Sequence, residues 1–166
     1  ARADTFYSQG TIKSYMGDDD GAITDSSESL RLDPCRAGAW CCRGTARLML
    51  GDASGAAEDC TEAISLDSSY ACAWGGRGPA RRRLGEPFLA AEDCERALEL
   101  DSSLEWVRPS LRKALRERLN RTEYFSMAEA DTGAEAKAVA NSDFSEGTGK
   151  PGALASVVSG HSAGKK

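Results

Sequence analysis

The sequence predicts an all-α chain built as a stack of antiparallel helix pairs, followed by a capping helix and an irregular tail. Three observations predict the stack. Segments 17–32, 51–66 and 85–100 resemble one another at a constant spacing of 34 residues, a period typical of stacked helical units. Each segment opens on a glycine (Gly17, Gly51, Gly85), and Gly10, Gly44 and Gly78 precede them in the same register. Each segment closes on Leu-Asp, at Leu32-Asp33, Leu66-Asp67 and Leu100-Asp101.

The elements follow in order. Residues 5–15 read as a first helix with Phe6, Ile12 and Tyr15 apolar, and Gly17 stops it, as glycine does just past a helix end. Asp18, Asp19 and Asp20 bring acids to the start of a second helix over 22–32, where the helix dipole favours them. Its apolar positions are Ala22, Ile23, Leu30 and Leu32, and Asp33-Pro34 ends it, because proline disfavours helix in the residue before it.

The second unit is the best formed. Residues 37–50 are helical, with Trp40, Leu48 and Leu50 apolar; Gly51 turns the chain, and 53–66 returns. Ala56, Ala57, Cys60, Ala63 and Ile64 recur there at helical spacing. The small alanines let the two helices approach, and Trp40 fills the space between them. On that reading Trp40→Ala costs about 3–5 kcal/mol. Asp67-Ser68-Ser69 offers caps for the next helix.

The third unit is weak in its first half. Residues 71–84 contain Gly75, Gly76, Gly78 and Pro79. Each interior glycine costs about 1 kcal/mol relative to alanine, and an interior proline about 3. Packing by neighbours must hold this helix, or it is kinked. Its partner over 87–100 is strong, with Pro87 suited to a first turn. Residues 104–121 leave the repeat pattern. Val107, Leu111, Leu115 and Leu119 form one narrow stripe among basic residues, which suits a helix covering the last apolar face of a stack. A basic docking face for an acidic partner is the other reading of the same segment.

Residues 122–166 form a low-complexity tail, partly helical to about 140 and rich in Gly, Ser and Ala beyond it. Tyr124, Phe125, Leu154, Val157 and Val158 are its candidate docking residues. The domain division is thus 1–121 for the repeats and cap, and 122–166 for the tail.

Composition excludes several functions. No apolar run approaches the roughly 20 residues of a membrane helix. The basic residues gather in 105–121, while 1–104 carries an acidic excess, so broad attraction to nucleic acid is not expected. The start of the chain lacks both an initiator methionine and a signal-peptide pattern, which reads as processing or excerpting. Six cysteines are present without a CxxC pair, and the single histidine, His161, lies in the tail, so no zinc cluster is expected. Cys60 and Cys94 share one repeat position on an apolar helix side and read as small core residues. An intracellular, reducing compartment follows, cytoplasmic in the first instance, with an organelle after transit-peptide removal as the alternative. No nucleophile, acid–base pair or phosphate loop is evident, and no catalytic residue, cofactor or metal is assigned.

Trp40…Gly44, Ala56…Cys60…Ala63 and Leu66-Asp67, repeated as Trp74…Gly78, Ala90…Cys94…Ala97 and Leu100-Asp101, resemble the tetratricopeptide repeat (TPR). Phe6, Gly10, Ala22 and Asp33-Pro34 give a looser first copy. The resemblance implies three repeats, 3–36, 37–70 and 71–104, with 105–121 as cap. It implies a right-handed superhelical α-solenoid acting as a non-catalytic protein-interaction scaffold or adaptor, a subunit or assembly component of a larger complex.

By resemblance, the first helix of each repeat lines a concave groove. Its candidates are Tyr7, Thr11, Ser14 and Tyr15, then Cys41, Thr45, Leu48 and Met49, then Cys72, Arg82 and Arg83. Tyr and Met offer adaptable apolar area, and Arg can pair with a carboxylate, which suits a peptide with apolar anchors and an acidic end. One family specialisation clamps the C-terminal carboxylate of chaperones. That clamp wants Lys and Asn where Tyr7 and Thr11 stand, Asn at Cys42, and Lys and Arg at Cys72 and Gly76. The chaperone-tail motif is therefore not expected as ligand. The alternative function is a thiol-based redox or enzyme-associated module using Cys41, Cys42 and Cys72.

Overall fold

The computed structural model describes residues 2–142, with side chains described to 124. Seven helices and no strand occur among them: α1 (Arg2–Tyr15), α2 (Asp19–Leu32), α3 (Ala37–Met49), α4 (Ala53–Leu66), α5 (Ala71–Arg83), α6 (Pro87–Leu100) and α7 (Val107–Ser142). No helix among the described residues is long and apolar enough to cross a membrane. The chain divides into two units, Ala1–Tyr124 and Phe125–Lys166. In the second, residues 125–142 are helical.

The first unit is three helix pairs. α1 packs on α2, α3 on α4 and α5 on α6, and each second helix also packs on the next first helix. The turn inside each pair holds a glycine at positive φ, namely Gly17 at 80°, Gly51 at 96° and Gly85 at 82°. Side chains with a Cβ avoid that region, so the 34-residue glycine spacing is the spacing of tight turns. Asp18 and Asp52 then cap the returning helices, each carboxylate accepting from a backbone N–H three residues on, at 2.9 and 2.8 Å. Glu86 makes no such bond, and Pro87 opens α6 instead. Asp67 and Asp101 close their helices and accept from Ser69 and Ser103, which holds both carboxyls below the usual carboxylate range.

The core is made of small side chains. Ala22, Ala39, Ala46, Ala56, Ala63, Ala73, Ala80, Ala90 and Ala97 are fully buried, with Cys60 and Cys94, and the largest fully buried side chain is Val107. Helix pairs in this chain meet at Gly, Ala and Cys and leave little room for bulk. The bulky residues expected inside sit outside for that reason: Tyr15 is 90% exposed, Ile12 58%, Leu50 52% and Leu32 38%. Trp40 packs against the Cys41, Ala63 and Ala73 cluster but is not fully enclosed. It is half-buried, its indole N–H donates to the Pro34 carbonyl at 2.8 Å, and the Arg43 guanidinium lies 4.7 Å from its ring centroid. Trp40→Ala is now expected to cost about 2–3 kcal/mol, below the cost of a fully buried aromatic, as read from chemical denaturation.

A buried ion-pair ladder ties the pairs together. Asp59 on α4 receives Arg43 through two bonds of 2.9 and 2.8 Å and Arg47 at 3.0 Å, both from α3. One repeat on, Asp93 on α6 receives Arg77 through two bonds of 2.8 Å and Arg81 at 2.9 Å, both from α5. In the first repeat Lys13 meets Asp25 at 2.7 Å. Arg43 also reaches Ser27 on α2, and Arg77 reaches Thr61 on α4, so each arginine touches the preceding repeat.

The glycine-rich α5 is helical throughout. Its glycines are contact points. A Cβ on Gly78 would lie 2.5 Å from the Cys94 Sγ, one on Gly76 3.1 Å from the Cys60 Sγ, and one on Gly75 2.9 Å from Trp106 and Val107. The propensity lost at each is offset by close approach to α6, α4 and the start of α7. Leu104, Val107 and Leu111 cover the end of this repeat, packing with Cys94, Ala97, Trp74 and Leu98. The capping segment expected over 104–121 is helical from Val107, the first residue of α7, and 110–124 contains neither glycine nor proline.

Candidate functional site

The first helices α1, α3 and α5 touch in series, α1 with α3 and α3 with α5. They flank a cavity of about 360 Å³. α1 supplies Tyr7, Thr11, Ser14 and Tyr15 to its wall; α3 supplies Gly38, Cys41, Cys42 and Thr45. Tyr70, Cys72 and Trp106 complete it.

Helical spacing sets this wall. Tyr7, Thr11 and Ser14 are four and three residues apart, as are Gly38, Cys41 and Thr45, so each set shares one helix face. The Thr11 and Thr45 hydroxyls donate to the Tyr7 and Cys41 carbonyls, each at 2.9 Å. Tyr7 seats against Gly38, where a Cβ would lie 2.8 Å from the phenol oxygen. The Arg36 guanidinium lies 5.5 Å from the Tyr7 ring centroid and pairs with Asp4 and Asp33.

Of the sequence candidates, Tyr7, Thr11, Ser14, Tyr15, Cys41, Thr45 and Cys72 lie together on this cavity. Met49, Arg82 and Arg83 are not among its walls. Met49 is 65% exposed, Arg82 bonds Glu117 on α7 at 3.0 Å, and Arg83 bonds the Leu48 carbonyl. Leu48 itself is buried against Ala56 and Ala80. Both arginines thus make bonds within the chain, away from this cavity. Tyr124 is 72% exposed. Leu154, Val157 and Val158, and the side chain of Phe125, lie outside the described residues.

Gly38, Tyr70 and Trp106 were not singled out as site residues by sequence. Trp106 carried a signal. It stands 34 residues after Cys72, which stands 34 after Gly38, so the repeat spacing continued one step past the third repeat reaches it. Tyr70 carried none, since Arg36 and Leu104 occupy the matching positions.

The thiols of the site are held protonated. The adjacent Cys60 thiol and burial push Cys41 well up, and burial pushes up Cys42 and Cys72. Burial likewise raises Cys94, to about 12. The thiolate is the reactive species, so these groups are poor nucleophiles at neutral pH. Brief iodoacetamide treatment at pH 7.5 is expected to alkylate the exposed Cys35 first, with Cys41, Cys60 and Cys94 reacting only on unfolding. Peptide mapping by mass spectrometry checks this; fast alkylation of Cys41 would revive the thiol reading. Among the described residues no group of three or more His, Cys, Asp or Glu side chains is placed to hold a metal.

Three consecutive helix pairs, α1 to α6, turning on glycines at a fixed period, define a helical-repeat solenoid. Solved structures agree. The first TPR of Spaghetti (RPAP3), bound to the HSP90 peptide SRMEEVD, is 30% identical over 69% of this chain and 91% of its own, with a TM-score of 0.64. The first TPR domain of human RPAP3 is 28% identical over 74% and 96%, with a TM-score of 0.67. The second human RPAP3 domain, in complex with the HSP70 peptide SGPTIEEVD, is 30% identical over 68% and 94%, with a TM-score of 0.62. No family model and no curated protein matches the chain. The chain belongs to the tetratricopeptide-repeat family.

Proposed function

We propose that this chain is a non-catalytic protein-interaction adaptor, a component of a larger assembly, and that it holds a peptide segment of its partner in the cavity between α1 and α3. The observation that carries this reading is the cavity itself. It has the size of a ligand site and is lined by aromatic rings, hydroxyls and thiols rather than by catalytic groups. Two of the similar solved domains bind peptides ending in EEVD, three side-chain carboxylates and a chain terminus within four residues. No Lys, Arg or His is among the residues lining the cavity here. Tyr7, Thr11, Cys42 and Cys72 stand where a carboxylate clamp would place most of its donors. The favoured ligand is therefore a segment other than an acidic chaperone tail.

Panning a random peptide display library against the intact chain tests this. Selected peptides are expected to bind the chain and to lose about tenfold or more in affinity against Ser14→Trp, which fills the cavity from α1. The peptide SRMEEVD is expected to bind at least tenfold more weakly than they do. Binding of selected peptides that ignores Ser14→Trp, or tight binding of SRMEEVD, would overturn the proposal.

A further inference from the structure

The wall of the cavity has an electrostatic character of its own. Four aromatic rings line it, Tyr7 and Tyr15 from α1, Tyr70 from the loop before α5 and Trp106 from the turn before α7. Aromatic faces carry negative charge density and attract cations. The Thr11 and Thr45 hydroxyl hydrogens are already donated to helix carbonyls, so these groups offer a ligand only lone pairs. The thiols are neutral. An anion would find no cationic side chain here, only neutral donors such as the Ser14 hydroxyl and the Trp106 indole N–H.

Most basic side chains of the repeats are engaged by the chain's own carboxylates, with two arginines sharing one aspartate in the second repeat and again in the third. Lys13 is held by Asp25, Arg43 and Arg47 by Asp59, Arg77 and Arg81 by Asp93, and Arg36 by Asp4 and Asp33. What remains over the three repeats is the acidic excess of residues 1–104 within a chain of net charge −5. No Lys, Arg or His lines the cavity, and the guanidinium near the Tyr7 ring, Arg36, is paired with Asp4 and Asp33. The molecule also shows the same chemistry within itself: Arg43 and Arg77 lie over the rings of Trp40 and Trp74 at 4.7 and 4.8 Å.

We infer that the cavity is a cation site, taking a lysine or arginine side chain from a basic segment of the partner protein, with Tyr7, Tyr15, Tyr70 and Trp106 as its walls. The charged head lies among the rings, and the aliphatic stem lies along Cys41 and Cys72. Methylation of the lysine keeps the charge and is tolerated. This rests on the cavity being the binding site, as proposed above, and adds the charge of the group that enters it.

The test is a titration of the isotope-labelled intact chain, followed by NMR, with three nonapeptides of Gly and Ser that differ only at the central residue. The residues are lysine, norleucine as its uncharged analogue, and glutamate. The lysine peptide is expected to shift the amides of Gly38, Cys41, Thr45 and Tyr70 and to bind about fivefold or more tighter than the norleucine peptide. Trimethyl-lysine at the same place is expected to bind no more weakly than lysine. Trp106→Leu, which keeps an apolar group, is expected to close the gap between lysine and norleucine. Equal or tighter binding of norleucine at the same amides would overturn the cation assignment and leave the adaptor proposal intact, since the cavity would still hold a peptide. Lysine shifts confined to surface acids away from these amides, or no shift with any peptide, would overturn the assignment too. The Ser14→Trp result with library peptides then decides the adaptor proposal separately.

Discussion

Asp93→Ala is expected to lower the unfolding free energy by about 3–5 kcal/mol, the largest loss of any single polar substitution in the repeats. The reason is what it leaves behind. The Asp93 side chain is 3% exposed and that of Arg77 10%, and Arg77 grips it through two bonds of 2.8 Å. Deleting the carboxylate leaves Arg77 with the Thr61 hydroxyl and the Trp74 ring, and takes the carboxylate from Arg81 as well. The matched change, Asp59→Ala, is expected to cost less, because Arg43 and Arg47 are 16% and 29% exposed and recover water more readily. Replacing the bidentate pair, Asp93→Leu with Arg77→Met, is expected to restore part of the loss, since a buried ion pair gives little net stability over apolar groups of similar volume, while Arg81, 23% exposed, turns to water. Urea unfolding of the three variants beside the parent checks this; an Asp93→Ala loss below that of Asp59→Ala would reject the burial argument.

Gly78→Ala is expected to destabilise, although alanine is the better helix former. Two effects compete. Helix propensity favours alanine by about 1 kcal/mol. Against it, the new methyl would sit 2.5 Å from the Cys94 Sγ and 3.2 Å from the Ala90 carbonyl oxygen. Cys94 is fully buried, its short side chain has nowhere to swing, and the Ala90 oxygen is fixed in α6. Overpacking of this kind costs about 1–3 kcal/mol, and here α5 and α6 must also separate, which disturbs the Arg77–Asp93 pair. A net loss of about 2 kcal/mol is expected. Cys94→Ala in the same chain removes the closer clash and is expected to recover part of that loss. A Gly78→Ala chain that melts above the parent would show that propensity governs α5.

These two sites show where the sequence was legible. The period of 34 residues, the turn glycines and the Leu-Asp helix ends placed α4 and α6 to the residue, and the other four repeat helices within a few residues of their observed bounds. Those signals are local, because a positive φ or a proline acts on its own neighbours. The Arg77–Asp93 pair was overlooked although its spacing matches Arg43–Asp59, because each pair spans 16 residues and two helices. Gly78 read as damage because propensity counts the backbone of one helix and not the sulfur of the next.

Half of the site was legible for the same reason. Tyr7, Thr11, Ser14 and Tyr15 share a helix with each other, as do Cys41 and Thr45, so the helical period alone groups them. The sequence by itself determined an all-helical repeat, its phase, its turns and which helix faces a groove could use. Only the tertiary structure decided that Ile12, Tyr15, Leu32 and Leu50 stay outside the small-residue core, that Arg82 and Arg83 bond within the chain, and that Tyr70 and Trp106 line the cavity with Tyr7 and Tyr15. The physical reason is distance along the chain. Period and capping act within a turn or two of helix, whereas close approach, charge pairing and the walls of a cavity join residues whose separation no local pattern encodes.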